Sequence, residues 1–313
     1  MSRTVSSRSS NQPTRRVLVV VNTRRQDVAA LAADVIRRFN GRGIASRVLA
    51  EDAHVLPTGE LDVEVVDREA AADCELVLTF GGDGTILRAA EHARESGTPL
   101  LGINVGHVGF LAETDPDGLE HTIEAVVERR YHAEERLTLD VTVHSDGREV
   151  AATWALNEAS VEKAARERML EVEVEIDGRP LSRWGCDGVV CATPTGSTAY
   201  NFSAGGPVVW PEVDALLLVP LSAHALFARP MVVSPTSVID IDVIDNTEAH
   251  GVLWCDGRRT VDLAPGARVE VRRGHIPIHL ARLNDAPFTD RLVAKFDLPV
   301  SGWRGAAERR RGI

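Results

Sequence analysis

The first part of the chain alternates continuous apolar runs with amphipathic ones. "RRVLVVVN" is the kind of run that a buried parallel strand shows. Val28, Leu31, Val35 and Phe39 then fall at i, i+3, i+7 and i+11, one face of a helix that "NGRG" stops at Gly41. "IASRVLA" predicts the next strand. "ELVLTF" predicts another, followed by a helix over about 85–93. "PLLGINVG" predicts a further strand and "DGLEHTIEAVVER" a further helix. Such alternation predicts an open parallel sheet with helices on its faces.

Near Tyr131 the period changes to two. Leu137, Leu139, Val141 and Val143 alternate with polar residues, as do Val172, Val174 and Ile176, and Ile239, Ile241 and Val243. Asp146-Gly147, Asp177-Gly178 and Asp256-Gly257 are hairpin dipeptides. The pattern predicts a disordered tail over 1–14, an α/β domain over 15–133 and a mostly antiparallel β domain over 134–283. "PFTDRLVAKF" reads as a helix in a segment, about 284–305, that returns to the first domain. A basic tail follows at 306–313.

A net charge of −11 argues against a nucleic-acid partner, because phosphate backbones are bound by basic surfaces. No apolar run approaches the ~20 residues that span a bilayer, and the start has no apolar segment of a secretory signal. The expected location is cytoplasmic. Cys74, Cys186, Cys191 and Cys255 form no CxxC pair and read as reduced thiols rather than zinc ligands.

The candidate chemistry begins at "TFGGDGTILRAA", where a strand turns on glycines into a helix. Ligands of open α/β sheets sit at such carboxyl ends. Gly81, Gly82 and Gly84 let backbone N–H groups approach a phosphate, with Thr85 in the first turn and Arg88 one turn on. Asp83 has three readings: metal ligand, proton acceptor, or helix cap. GxxxxGK[ST] and GxGxxG are absent, which weighs against P-loop kinases and dehydrogenases. "CDGVVCATPTGSTAYNFSAGGP" crowds hydroxyls and glycines together and can read a ribose or an amide, or be a turn-rich connection. Asn157 and Glu158 are neighbours, so both face one ligand only where their strand ends or bends. Arg166 and Arg168 read as a solvated charged face or as an arm over a pyrophosphate. Gly102, Gly106 and Gly109 suggest a second glycine loop, and His107 reads as an exposed loop residue.

"GGDGT", "NE" and "TPTGSTAY" occur in the order and at the spacing of the NAD kinases, and "GINVGHVGFL" and "HALFARPMVVSP" are similar to segments of that family. The resemblance covers roughly 16–305 and is closest to the actinobacterial type. It implies transfer of the terminal phosphate of ATP, with inorganic polyphosphate left open as a donor, to the 2′-hydroxyl of the adenosine ribose of NAD. It implies that Asp83 accepts the hydroxyl proton, and that Gly81, Gly82, Gly84, Thr85 and Arg88 line the reaction end. By the same resemblance Asn157, Glu158, Arg168, Asp187, Thr198, Ala199, Tyr200, Asn201, Phe202 and Ser203 hold NAD. It implies a divalent metal, Mg²⁺ with Mn²⁺ as the alternative and its ligands unassigned, and a homodimer or homotetramer. Lipid kinases share a "GGDGT"-like turn, but no basic amphipathic helix is present. A non-catalytic dinucleotide-binding regulator would be expected to lose Asp83 or its glycines, and both are intact.

Overall fold

β1 (Arg16–Val21) has five consecutive buried residues, as a strand covered on both faces requires. The protein is described here as a computed structural model, covering residues 15–67, 69–104, 109–113, 118–165, 168–245, 250–284 and 286–300. The expected tails at 1–14 and 306–313, and the loop residues Gly106, His107 and Arg166, lie outside the described residues. Contacts divide the chain into two compact units, one within 15–132 and one within 133–300, the latter including Gly109 and Phe110.

In the first unit α1 (Gln26–Asn40) follows β1, then β2 (Ala45–Leu49), β3 (Val63–Val66), β4 (Leu76–Phe80), α2 (Asp83–Ala93), β5 (Leu100–Ile103) and α3 (Leu119–Val127). The strands lie in the order β3-β2-β1-β4-β5, all parallel. α1 buries Val28, Ala29, Ala32, Ala33, Val35, Ile36 and Phe39, so the alanines and Ile36 share the face and Leu31 is left half-buried. The helix ends at Asn40, but Gly41 keeps a right-handed φ of −63°. The left-handed turn falls on Gly43, at φ +74°.

The second unit begins with β6 (His132–Arg136), β7 (Leu139–Ser145), β8 (Arg148–Ala155), β9 (Glu158–Lys163), β10 (Leu170–Ile176), β11 (Arg179–Cys186) and β12 (Gly188–Ala192). α4 (Tyr200–Ser203) leads to β13 (Leu216–Leu221), β14 (Met231–Val233), β15 (Ile239–Val243), β16 (Gly251–Cys255), β17 (Arg259–Leu263), β18 (Arg268–Arg273), β19 (Ile278–Arg282) and α5 (Phe288–Phe296). Two antiparallel sheets result, β11-β10-β15-β18-β7-β8 and β14-β13-β12-β9-β16-β17. The period-two residues Leu139, Val141, Val143, Val172, Val174, Ile239 and Ile241 meet Val161, Cys191, Leu218 and Leu253 in one core between these sheets. Asp146-Gly147, Asp177-Gly178 and Asp256-Gly257 all have positive φ at both residues, the geometry that a two-residue hairpin turn needs.

α5 has no buried residue. It is held by aromatic rings: Phe296 lies 4.7 Å from Phe202 and 5.8 Å from Phe110, and Phe288 lies 5.4 Å from Trp210, centroid to centroid. All four cysteines are free thiols, three of them buried. Among the described residues no helix is long and apolar enough to cross a membrane.

Trp184 is the largest fully buried side chain of the sandwich core, and its indole N–H donates to the Phe227 carbonyl at 3.3 Å. Trp184→Ala is expected to destabilise the protein by about 3–5 kcal/mol. Denaturant unfolding followed by circular dichroism checks this.

Candidate active site

In the first unit the strand order reverses between β1 and β4, because β2 and β3 lie to one side and β5 to the other. Open α/β sheets bind ligands at the carboxyl ends of strands beside such a reversal. The glycine turn stands there. Asn22 N–H donates to the Phe80 carbonyl at 2.9 Å, and Gly81 N–H to that of Ile103 at 3.0 Å. Gly81 is required sterically: a Cβ there would stand 2.3 Å from Thr85 Oγ1 and 3.1 Å from Asn22 Cβ. Gly82 is the N-cap and Asp83 the first residue of α2, which starts two residues before the sequence expectation. Helix starts leave their first N–H groups without intrahelical partners, and Gly82 and Gly84 have no side chains to cover them.

Asp83 is half-buried, and its Oδ1 accepts from Leu111 N–H at 3.1 Å. That bond ties Asp83 to the segment after β5. Arg88 is differently aimed from the expectation that it reaches the same anion. Its Nη1 and Nη2 donate to Asp52 at 2.7 and 2.8 Å, Nη1 also pairs with Glu51, and Nη2 reaches the Val21 carbonyl at 2.7 Å. Asp52 is fully buried and also accepts from Val21 N–H at 2.9 Å. Burial opposes the Arg88 charge, but Asp52 and Glu51 outweigh it and hold the guanidinium above its usual range. In this arrangement Arg88 braces the end of β1 through Asp52. Gly102 is also a packing residue rather than a loop residue: it lies in β5, where a Cβ would meet Ile86 Cδ1 at 2.5 Å and Ala112 Cα at 2.9 Å.

In the second unit Asn157 and Glu158 stand at the start of β9 and are both buried. The backbone of 156–158 is held by two residues. Thr193 Oγ1 donates to the Leu156 carbonyl at 2.6 Å and Thr193 N–H to that of Asn157 at 2.9 Å. Asp256 N–H donates to the Glu158 carbonyl at 2.9 Å, and its carboxylate accepts from the N–H groups of Leu156, Asn157 and Glu158 at 3.0, 2.7 and 3.4 Å. Gly196 lies directly on Asn157, since a Cβ on it would stand 2.0 Å from the Asn157 carbonyl oxygen. That contact joins the "NE" and "TPTGSTAY" stretches. Glu158 Oε2 accepts from Tyr200 N–H at 3.3 Å. Burial, then the negative charge of Asp256, pushes Glu158 up to about 8, against the Tyr200 N–H.

The remaining candidates divide. Thr198 and Ala199 are half-buried, while Tyr200, Phe202 and Ser203 are exposed on the same turn. Asn201 is buried and turned into the chain: its Nδ2 donates to the Ser197 and Pro207 carbonyls, each at 3.1 Å, so it shapes the turn. Asp187, between β11 and β12, pairs with Lys163 at 2.5 Å, which holds its carboxyl below the usual range. Arg168 is exposed just before β10. Sequence reading missed Asp52, Lys163, Thr193 and Asp256. Asp256 had a signal, but only as half of a hairpin dipeptide. Asp52 had none, standing in "AEDAH" like any loop acid.

Residues 17–131 match the family described as the ATP-NAD kinase N-terminal domain, and 156–283 the ATP-NAD kinase C-terminal domain. The chain is 58% identical to NAD kinase 2 of Streptomyces avermitilis over 296 residues, 93% of this chain and 97% of that one. It is 59% identical to the NAD kinase of Thermobifida fusca over 308 residues, 95% of this chain and 94% of that one. Its fold is similar to that of yeast NADH kinase complexed with NADH, with a TM-score of 0.83 at 24% identity over 93% of this chain and 90% of that chain. An NAD kinase from Archaeoglobus fulgidus in complex with ATP gives a TM-score of 0.67 at 25% identity over 90% and 98%. With both family domains matched in order and near-full-length relatives at this identity, the chain belongs to the NAD kinase family.

Proposed function

We propose that this chain transfers the terminal phosphate of ATP to the 2′-hydroxyl of the adenosine ribose of NAD, giving NADP, and that inorganic polyphosphate serves as a second donor. The observation that carries this reading is Asp83, a carboxylate in the first turn of α2, behind a glycine turn at the strand-order reversal. Phosphoryl transfer asks for positioning and for neutralised charge. The bare N–H groups at Gly82 and Gly84 and the positive end of α2 favour phosphate. The Leu111 N–H fixes the Asp83 carboxylate at one oxygen, and we assign Asp83 as acceptor of the hydroxyl proton. Arg88 then acts as a positioning residue for the turn.

We assign NAD to Asn157, Glu158, Asp187 and the turn over 198–203. Asn157 suits an amide or a base edge, and Glu158 the hydroxyls of a ribose. We assign Arg168, exposed just before β10, to the same ligand. A divalent ion, Mg²⁺ with Mn²⁺ as substitute, accompanies the phosphates. Among the described residues no group of three His, Cys, Asp or Glu is set to hold a metal. An ion carried by substrate phosphates and its own waters needs no such cage. When bound, the ion neutralises phosphate charge. Free thiols suit a reducing, cytoplasmic setting. A homodimer or homotetramer is supported by the exposed side chains of Trp210, Val213, Leu226, Phe227 and Val232 and by the open edge at β14.

NADP formation from NAD and Mg²⁺ is expected with ATP and with polyphosphate, and not without a donor. In Asp83→Asn, kcat is expected to fall about 10²–10⁴-fold while NAD still binds. Near-normal turnover removes Asp83 from the base role; absent NADP in every wild-type lane removes the kinase reading.

Glu158 gives a pH prediction. Its folded value, about 8, lies above the ordinary 4.5, so the folded state keeps a proton that the unfolded chain releases. The stability this contributes is complete below 4.5 and is lost as pH rises through about 8. Melting temperatures taken across that range are expected to fall less steeply with pH in Glu158→Gln than in the wild type. An unchanged slope assigns the proton elsewhere.

A further inference from the structure

Three successive backbone N–H groups, on Leu156, Asn157 and Glu158, converge on one carboxylate. Such a concave run of amides binds an anion, and here the anion belongs to the chain itself. Asp256 stands at φ +55° in the β16–β17 turn, and its side chain is 1% exposed. A carboxylate so far from water needs positive charge and donors to remain ionised. Arg259 supplies the charge: Nη2 lies 2.8 Å from Asp256 Oδ2 and also donates to the Trp154 carbonyl at 2.8 Å. The same guanidinium sits 4.4 Å from the centre of the Trp154 ring. Arg259 thus ties the β17 end of the hairpin to the strand that leads into Leu156.

The consequence for Asn157 and Glu158 is directional. Neighbours on a regular strand point to opposite faces. Here the three N–H groups turn toward a single point, so the strand is not regular at its start. Thr193 holds the carbonyls of Leu156 and Asn157, and Asp256 N–H holds that of Glu158. No backbone polar group of 156–158 is left to pair with an alternative partner, and Gly196 closes the space against Asn157.

We propose that Asp256, neutralised by Arg259, is the positioning residue that sets the directions of the Asn157 and Glu158 side chains for the dinucleotide. This rests on the reading of those two residues as NAD ligands. Asp256 does not touch the substrate; it acts through the backbone that carries the two side chains.

Two variants of the full-length protein test it. Asp256→Gly removes the carboxylate and keeps a residue that adopts positive φ. Asp256→Asn keeps the volume and the turn preference but turns an amide N–H toward backbone donors. In Asp256→Gly the amides of 156–158 are expected to exchange with solvent at least about tenfold faster, while that of Val161, in the middle of β9, keeps its wild-type rate. NAD affinity by calorimetry is expected to fall about 10–100-fold in both variants, the range seen when a partner behind a ligating group is lost. ATP affinity is expected to stay within about twofold. Sodium formate, a free carboxylate small enough for the emptied nest, is expected to restore NAD affinity in Asp256→Gly and to leave the wild type unchanged. Wild-type NAD affinity in a folded variant overturns the proposal, and so does a loss in Asp256→Gly that formate does not reverse. Absence of NAD binding by the wild type overturns the substrate reading instead. The positioning claim is then decided by the amide exchange alone, and equal protection in Asp256→Gly and wild type overturns it.

Discussion

A carboxylate taken out of water must find both a cation and hydrogen-bond donors, and in each unit that requirement sets the geometry of a strand end. Asp52 finds Arg88 and the Val21 N–H; Asp256 finds Arg259 and three N–H groups in a row. In both cases the arginine also takes a backbone carbonyl, that of Val21 or Trp154. The acid and the base together therefore grip the chain rather than each other alone. Breaking such a buried pair from one side leaves an uncompensated charge, which costs several kcal/mol. The ends of β1 and the entry to β9 are fixed by that penalty, and the residues assigned to chemistry stand beside them.

The fold was legible where burial imposes a period. The buried runs of β1 and β4 and the two-residue alternation of β7, β10 and β15 are direct images of which face meets the core. β3 was not read, because at a sheet edge "VEVV" has no buried side to enforce a pattern. The helix stripe on α1 was read from its large residues alone, so Ala32 and Ile36 escaped and Leu31 was given too much. At the site, the glycine turn was legible because backbone approach demands glycine. The aim of Arg88 was not, since its partner Asp52 is distant in sequence and looks like a solvated acid until the sheet forms. Asn201 illustrates the same limit: a polar residue among binding candidates whose amide turns inward to close its own turn.

The second unit tolerates an arrangement that stability alone would not select. Glu158 and Asp256 are two buried acids; burial raises both, and the negative charge of Asp256 raises Glu158 further. Asp256 is compensated by Arg259 and by the N–H nest; for Glu158 the Tyr200 N–H is the favourable influence. Functional sites characteristically keep groups in environments that a purely structural core would avoid. The strain is electrostatic, and the rigid sandwich around it bears the cost.

The ring contacts of α5 have a consequence for how the molecule breathes. α5 has no buried residue and is held from its surface, by rings and by Arg291 Nη1 donating to the Phe110 carbonyl at 3.3 Å, and surface-docked elements lie toward the low-stability end of a structure. One of those rings, Phe202, is carried by α4, the single helical turn over Tyr200–Ser203. The residues proposed to hold the dinucleotide therefore divide: Asn157 and Glu158 are tied to the strands of the sandwich, whereas the turn over Tyr200–Ser203 is coupled through Phe202 to α5.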